Sequence, residues 1–305
     1  MRTVIESALI CAILLINASG LQAQTVMPAL TGREIRIGTH NMLFEYSNRV
    51  PEQTDRQWKS RKPHLKDLYA RCKVDIIGSQ EILGWQGLEF MEATGYAAVG
   101  VNQIGFPEGT PKAMKCEYER IFYRPDRFAV LQEGHFWFSE NPDIPQQYSW
   151  DATHTRMCTW AKFQERATGV AFYVFNSHLH YDAMQSRLES AKLLLDRVKK
   201  IAGDAPVILT GDFNGVITSE AISLIDNSGI VFDSRKLAGD NVKGPATSFH
   251  GFNPVLREGY IIDHIFVSKN IQVKSYVIVD DEITTGRYNS DHFPIFVDIQ
   301  LPLME

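Results

Sequence analysis

Short apolar runs rich in β-branched residues punctuate the chain, and each ends abruptly in polar residues. Glu34 to Thr39 (EIRIGT) runs into His40-Asn41, Val74 to Gly78 into Gln80-Glu81, and Ile121 to Tyr123 into Arg124. Ala171 to Phe175 (AFYVF) leads into Asn176-Ser177-His178-Leu179-His180, and Val207 to Thr210 (VILT) into Gly211-Asp212-Phe213-Asn214. Tyr260 to Ile262 meets Asp263-His264 and continues through Ile265 to Ser268, while Ser290-Asp291-His292 precedes Phe293 to Ile299. Runs of this length bounded by Gly, Asn and Asp predict strands, mostly buried on both faces. A different period separates them. From Ala183 to Ala202, Met184, Leu188, Ala191, Leu194, Leu195, Val198 and Ile201 fall at spacings of 4, 3, 3, 1, 3 and 3, the apolar stripe of one helix. Trp58 to Cys72 predicts a second helix, beginning as early as Thr54 and interrupted at Pro63. Trp85 to Thr94 and Ser219 to Asn227 predict shorter ones, the latter closing at Gly229. Gly105 to Lys115 and Asn141 to Arg156 read as long loops. Strands interleaved with helices along the whole length predict a layered α/β protein.

The first residues follow another pattern. Arg2 supplies a positive start, Ala8 to Ile16 a short apolar run, and Leu21-Gln22-Ala23 a small-residue cleavage site. Residues 1–23 therefore read as an export signal cleaved near Ala23, with 24–305 as a single domain that is secreted or periplasmic. Nine apolar residues are too few to cross a bilayer of about 30 Å as a helix, and no stable membrane insertion is expected. Cleavage removes Cys11 and leaves Cys72, Cys116 and Cys158, which match no CxxC metal spacing and read as buried small hydrophobes. The chain of 305 residues is 44% hydrophobic, enough for a large core. Its net charge of -5 argues against coating nucleic acid through bulk charge, which needs Lys and Arg in excess.

The polar ends of the strands carry the candidate chemistry. Asp212 and Asn214 lie two apart, and in extended chain they would face one site, a carboxylate to take a proton from water beside an amide to hold a phosphate. An isolated GDFN is equally an ordinary turn. His178 and His180 form an HxH that invites a zinc reading. Its place halfway along the chain speaks against the amidohydrolase arrangement and favours His178 as a phosphate or leaving-group contact, with His180 a neighbour. Asn41 and Glu81 are oxygen donors suited to Mg²⁺. Adjacent Asp-His residues in a strand point to opposite sides, so the useful pair is Asp263 with His292, and His264 is structural. Trp58, Arg61, Trp85, Tyr118, Arg120, Trp150 and Arg156 offer stacking and phosphate contacts to a nucleic acid, or simply pack the core and rim.

Six clusters in order, HNM at Asn41, SQE at Glu81, NSHLH at His178, GDFN at Asp212, IDHIFVS at Asp263 and SDHFP at Asp291, resemble the motifs of the endonuclease/exonuclease/phosphatase superfamily. The resemblance runs from about Ile35 to Ile299, and Ile121 through Trp137 with Ser149 through Trp160 looks like a secreted bacterial branch. It implies a four-layer α-β-β-α sandwich with two packed, mainly antiparallel mixed sheets. It also implies Mg²⁺ or Mn²⁺ held by Glu81, with Asn41 nearby and Asp291 contributing. Asp212 would activate water, Asn214 and His178 would hold the phosphate, and His292, oriented by Asp263, would contact the phosphate or move a proton. Glu117 matches the carboxylate that partners the first histidine, here His178, and Arg156 is a phosphate contact. The expected activity is hydrolysis of a phosphate ester: a phosphodiester first, with nucleic acid as one candidate, a phospholipid, sphingolipid or small-molecule phosphate second, and an inactive binding module last.

Overall fold

A computed structural model describes residues 27–30, 33–45, 52–283 and 287–302. The export signal read at residues 1–23 lies outside them. In chain order the strands are β1 (Glu34–Asn41), β2 (Ile76–Gln80), β3 (Ile82–Leu83), β4 (Ala97–Val99), β5 (Glu117–Tyr118), β6 (Ile121–Tyr123), β7 (Phe128–Trp137) and β8 (Met157–Glu165). They continue as β9 (Ala171–His178), β10 (Val207–Asp212), β11 (Phe232–Asp233), β12 (Val242–Lys243), β13 (Asp263–Val267), β14 (Gln272–Ile278) and β15 (Ile295–Gln300). The helices are α1 (Trp58–Cys72), α2 (Gly84–Thr94), α3 (Met184–Ala202), α4 (Glu220–Asp226) and α5 (Ser234–Leu237).

Two large sheets form, ordered β12-β14-β15-β1-β2-β6-β4 and β11-β13-β10-β9-β8-β7, and β3 pairs with β5 in a small third. Pairing is antiparallel except at β1–β2, β12–β14 and β9–β10. The apolar faces explain the layering. Ile35, Ile37, Ile76 and Val297 of the first sheet pack between the sheets against Val174, Ile208 and Ile265 of the second. The first sheet's other face (Ile77, Phe122, Phe296) is covered by Leu65, Leu68 and Tyr69 of α1 and Phe90 of α2. The second sheet's other face (Phe175, Leu209, Phe266) is covered by Ala191, Leu194 and Val198 of α3 and Ile222 of α4. The expected four-layer α-β-β-α sandwich, mainly antiparallel and mixed, is the fold.

This topology decides where chemistry can occur. The parallel pairs β1–β2 and β9–β10 lie inside the two facing sheets, so their C-terminal ends, Asn41, Gln80, His178 and Asp212, gather at one edge of the sandwich. Strands β13 and β15 run antiparallel to those neighbours and start at the same edge, which brings Asp263 opposite Asp212 and carries Asp291-His292 in just before β15. Close to this edge the inter-sheet contact turns polar. Asn176 accepts from Gln80 Nε2 (2.7 Å) and Thr210 Oγ1 (3.1 Å) and donates to the Ser79 carbonyl (2.8 Å). Gly78 makes that contact possible, because a Cβ there would fall on Thr210 Oγ1 and Asn176 Oδ1.

Local differences from the sequence reading have physical causes. Helix α1 runs through Pro63 without interruption, since one missing N–H costs less than giving up the buried stripe Trp58, Arg61, Leu65, Leu68, Tyr69 and Cys72. Met184 opens α3 but is 74% exposed, so the stripe that packs starts one turn later. Tyr260 to Ile262 is irregular and the strand begins at Asp263, because the Ile262 and Asp263 amides are taken by Ser248 Oγ instead of a neighbouring strand. Cys116 is half-buried, unlike Cys72 and Cys158. Among the described residues no helix is long and apolar enough to cross a membrane.

Candidate active site

The predicted residues Asn41, Glu81, His178, Asp212, Asn214, Asp263 and His292 converge at the polar edge. Asp212 ends β10 and is fully enclosed. Its Oδ1 accepts from the Asn214 backbone N–H (3.0 Å), and its Oδ2 accepts from Asn41 Nδ2 (3.1 Å). The same Oδ2 lies 3.4 Å from His178 Nε2 and 3.7 Å from His292 Nε2. Burial, then the neighbouring Asp263 charge, raises the Asp212 carboxyl above its usual range, which makes it a better proton acceptor than a solvated aspartate. Asn214 reaches the site by a turn rather than by strand alternation. Its backbone is left-handed (φ 49°), and its side-chain amide lies 3.1 Å from His178 Nε2 and donates to the Leu179 carbonyl (2.9 Å). Glu81 is also left-handed (φ 59°) directly after β2. Such backbone costs about 1–3 kcal/mol per residue and is concentrated where side chains must be aimed.

The two histidines sit in opposite electrostatic surroundings. His292 Nδ1 is 2.8 Å from Asp263 Oδ2. Burial disfavours the charged ring, but Asp263, Asp212 and Asp291 outweigh it, and His292 stays protonated well above the ordinary histidine range. His178 is held well below that range by burial and then by Arg156. Arg156 Nη1 lies 3.0 Å from His178 Nδ1. A guanidinium can only donate, so Nδ1 accepts and the neutral ring carries its proton on Nε2, where the Asp212 carboxylate at 3.4 Å accepts it; the Asn214 amide nitrogen is itself a donor, with one N–H on the Leu179 carbonyl. The two rings therefore carry different charge at neutral pH, His292 positive and His178 neutral.

The sequence reading paired Glu117 with His178, and the structure corrects this. Arg156 occupies that place, and Glu117 Oε2 stands behind it, 3.9 Å from Arg156 Nη1. A cation needs the partner more than a neutral imidazole does. His264 takes the structural place expected for it, with Nε2 2.8 Å from the Gly215 carbonyl.

No single arrangement of carboxylates here is comfortable without positive charge. Glu81 is pushed up to about 8, by burial and then by the charges of Glu117 and Asp291. That donor set of hard oxygens fits Mg²⁺ or Mn²⁺, whose charge would relieve the repulsion. Asn41, expected near the cation, lies between the two carboxylates of Glu81 and Asp212. Its Nδ2 donates to both Glu81 Oε1 (2.9 Å) and Asp212 Oδ2 (3.1 Å), and its Oδ1 accepts from the Leu43 N–H (3.2 Å). It ties the two carboxylates together. Asp212, Asp263 and His292 form a second group close enough to share a cation, though His292 Nδ1 is already engaged by Asp263.

Several residues that matter here escaped the sequence reading. Arg61, read as a phosphate contact or a packing residue, is buried and donates to the carbonyls of Met42, Leu43, Phe44, Arg56 and Asn289, joining the segment after Asn41 to the one before Asp291. Arg187 donates to the carbonyls of His180, Tyr181 and Asn214, tying the two loops that follow β9 and β10. Their donors end on backbone carbonyls, which no side-chain pattern discloses. Of the proposed stacking set, Trp58, Tyr118 and Arg120 are buried as well, with Arg120 lying over the Tyr118 ring.

A profile of the Endonuclease/Exonuclease/phosphatase family matches residues 38–292. The fold is similar to an endonuclease/exonuclease/phosphatase of Bacteroides vulgatus (TM-score 0.79, 32% identity, 88% of this chain and 99% of that one). It is equally similar to a mannosyl-6-phosphatase of Bacteroides thetaiotaomicron (TM-score 0.79, 32% identity, 87% and 99%). An uncharacterised protein of Acanthamoeba polyphaga mimivirus is 24% identical over 261 residues, 79% of this chain and 91% of that protein.

Proposed function

The chain belongs to the endonuclease/exonuclease/phosphatase family, and from that premise we propose that it hydrolyses a small phosphate ester with the help of a divalent cation. The observation that carries this reading is the convergence of Asp212, Asn214, His178 and the Asp263–His292 pair on one point, beside Glu81 and Asp291. Bound through Glu81 and Asp291, Mg²⁺ or Mn²⁺ would supply charge to offset that developing on the phosphoryl oxygens.

The residues do the rest. His178 Nε2–H and the Asn214 amide hold phosphate oxygens, and Arg156 adds its charge behind them. Asp212 takes a proton from the attacking water, whose oxygen bonds to phosphorus as the ester P–O bond breaks. His292, kept protonated by Asp263 and Asp212, donates to the phosphate, and the released alkoxide takes its proton from solvent. Positioned acid–base groups of this kind are each worth about 10²–10⁴-fold in rate.

A small ester is preferred to nucleic acid because Trp58, Arg61, Tyr118 and Arg120 are buried and cannot stack bases or bind a backbone, which leaves only Trp85 and Trp150 of the expected aromatics partly exposed. A similar structure at 32% identity that is called a mannosyl-6-phosphatase supports the same choice. The run Arg2 to Ala23 supports export of the mature chain. The test is hydrolysis of p-nitrophenyl phosphate, bis-p-nitrophenyl phosphate, hexose phosphates, plasmid DNA, RNA and sphingomyelin, each with Mg²⁺, Mn²⁺ or EDTA. Cation-dependent release from the small esters is expected. Selective cleavage of DNA or RNA would replace the small-ester reading with the nuclease one.

A further inference from the structure

Beyond the phosphate contacts, the β8–β9 edge continues into a second polar cluster. Cys158 faces Ser177 in that antiparallel ladder, so the residues that follow β9 run alongside those that precede β8. Alternation then repeats on both segments. Arg156 meets His178, and two residues further out His154 meets His180, with ring centroids 4.9 Å apart. Tyr181 stacks on His154 (5.9 Å, 28°) and is itself 63% exposed.

The cluster is short of partners. His180 is fully buried, and neither of its ring nitrogens meets a protein partner. His154 Nε2 and Arg156 Nε are buried without one too, while His154 Nδ1 has Thr153 Oγ1 at 3.3 Å. Four buried nitrogens left unmatched in one place are costly unless something polar meets them. The nearby acids do not fill the role: Asp151 is spent on the backbone of Gln185 and Ser186 and on Ser186 Oγ, and Asp182 is exposed.

The chemistry of the cluster narrows what would meet them. An apolar chain would leave the nitrogens unmatched. A second cation is opposed by the Arg156 guanidinium. A second phosphate offers acceptors only, whereas each histidine, kept neutral by burial and then by Arg156, presents one donor and one acceptor. A hydroxyl group also presents both. Several hydroxyls on one ring, whose flat apolar face can lie on Tyr181, match the cluster in hydrogen bonding and in shape.

We propose that His154, His180 and Tyr181 form the subsite for the alcohol part of the ester, and that this alcohol is a polyhydroxylated ring of the sugar type. The subsite rests on the reading that the phosphate binds at Arg156, His178 and Asn214, two residues further in along the same paired segments. His154 and His180 are positioning and specificity residues here; they touch no reacting atom.

The experiment compares kcat/KM for hexose 6-phosphates with that for p-nitrophenyl phosphate, whose leaving group carries no further hydroxyl. Wild type, His154→Phe, His180→Asn and Tyr181→Ala are measured with Mg²⁺ present. Wild type should favour the hexose phosphates. His154→Phe should lower kcat/KM for them by about 10-fold, the usual worth of a matched hydrogen bond, and leave p-nitrophenyl phosphate within about 3-fold, whereas Tyr181→Ala, which removes a face that either ring can lie on, should lower both. His180→Asn, which keeps one donor and one acceptor, should fall between. Equal losses on both substrates in His154→Phe, no loss on either in Tyr181→Ala, or no preference in wild type overturn the subsite while leaving the hydrolase reading standing. A wild type that hydrolyses neither substrate overturns both.

Discussion

Replacing Asp263 by Asn removes one charge from the centre of the site and changes little else in shape. The Asp263 carboxylate lies 2.8 Å from His292 Nδ1, and Asp212 Oδ2 lies 3.7 Å from Nε2. At an effective dielectric of about 20, these distances correspond to attractions of about 6 and about 4.5 kcal/mol. Against them stands the cost of burying an imidazolium, several kcal/mol. With Asp263 present the sum favours the charged ring. Without it the Asp212 term is roughly matched by the burial cost, and His292 loses its proton near neutral pH. Because the ring can shed its charge, the fold should survive with a modest loss of stability. Turnover should not survive: a drop of at least about 10²-fold is expected. The assay is steady-state hydrolysis of p-nitrophenyl phosphate by wild type, Asp263→Asn, His292→Ala and the double variant, with unfolding curves on all four. Since Asp263 acts through His292, the double variant should be no slower than His292→Ala alone. Near-normal turnover in Asp263→Asn, or losses that multiply in the double variant, would refute the reasoning.

Three further expectations concern the frame. Gly78→Ala puts a methyl onto Thr210 Oγ1 and Asn176 Oδ1 between the sheets, and should destabilise by about 1–3 kcal/mol in urea unfolding; an unchanged midpoint would show that the sheets can part there. Glu119 is pushed up to about 8 by burial, Arg156 acting against the shift. A folded-state value above the unfolded one gives stability that is complete below about pH 4.5 and lost as pH rises toward 8, at about 1.4 kcal/mol per unit. Glu119→Gln should therefore gain on wild type between about pH 5 and pH 9, and parallel stability–pH curves would remove that assignment. Arg61→Met strips donors from the carbonyls of Met42, Leu43 and Asn289, and should cost more than about 3 kcal/mol by chemical denaturation and also raise the Mg²⁺ needed for half-maximal rate. A stability loss with an unmoved Mg²⁺ curve would limit Arg61 to a structural role.

What the amino-acid pattern disclosed follows from where each signal lives. Strand-end residues such as Asn41 and Asp212 were legible because apolar runs stop at them and because parallel neighbours bring such ends together, and Asp263 because it begins the strand antiparallel to Asp212's. The Asp263–His292 pairing followed from the alternation of side chains across a strand. Long strand β7 was not delimited, because three consecutive residues, Leu131 to Glu133, are exposed and the register shifts between Val130 and Gln132, which breaks its apolar run. The replacement of Glu117 by Arg156 at His178 lies in a contact between two distant segments, which spacing does not encode. The mirrored pairs His154-x-Arg156 and His178-x-His180 were in plain view, but their meaning depends on the β8–β9 register.

The central claim is that hydrolysis needs a divalent cation at Glu81. The most direct measurement is phosphate release from p-nitrophenyl phosphate by chelator-stripped protein as Mg²⁺ is titrated back, for wild type and Glu81→Ala in parallel. The account predicts no release without the cation, a saturable return in wild type, and for Glu81→Ala a curve displaced to at least about 10-fold higher Mg²⁺ or no return at all, as expected for loss of a charged ligand. Full activity after chelation, or superimposable curves, would contradict it.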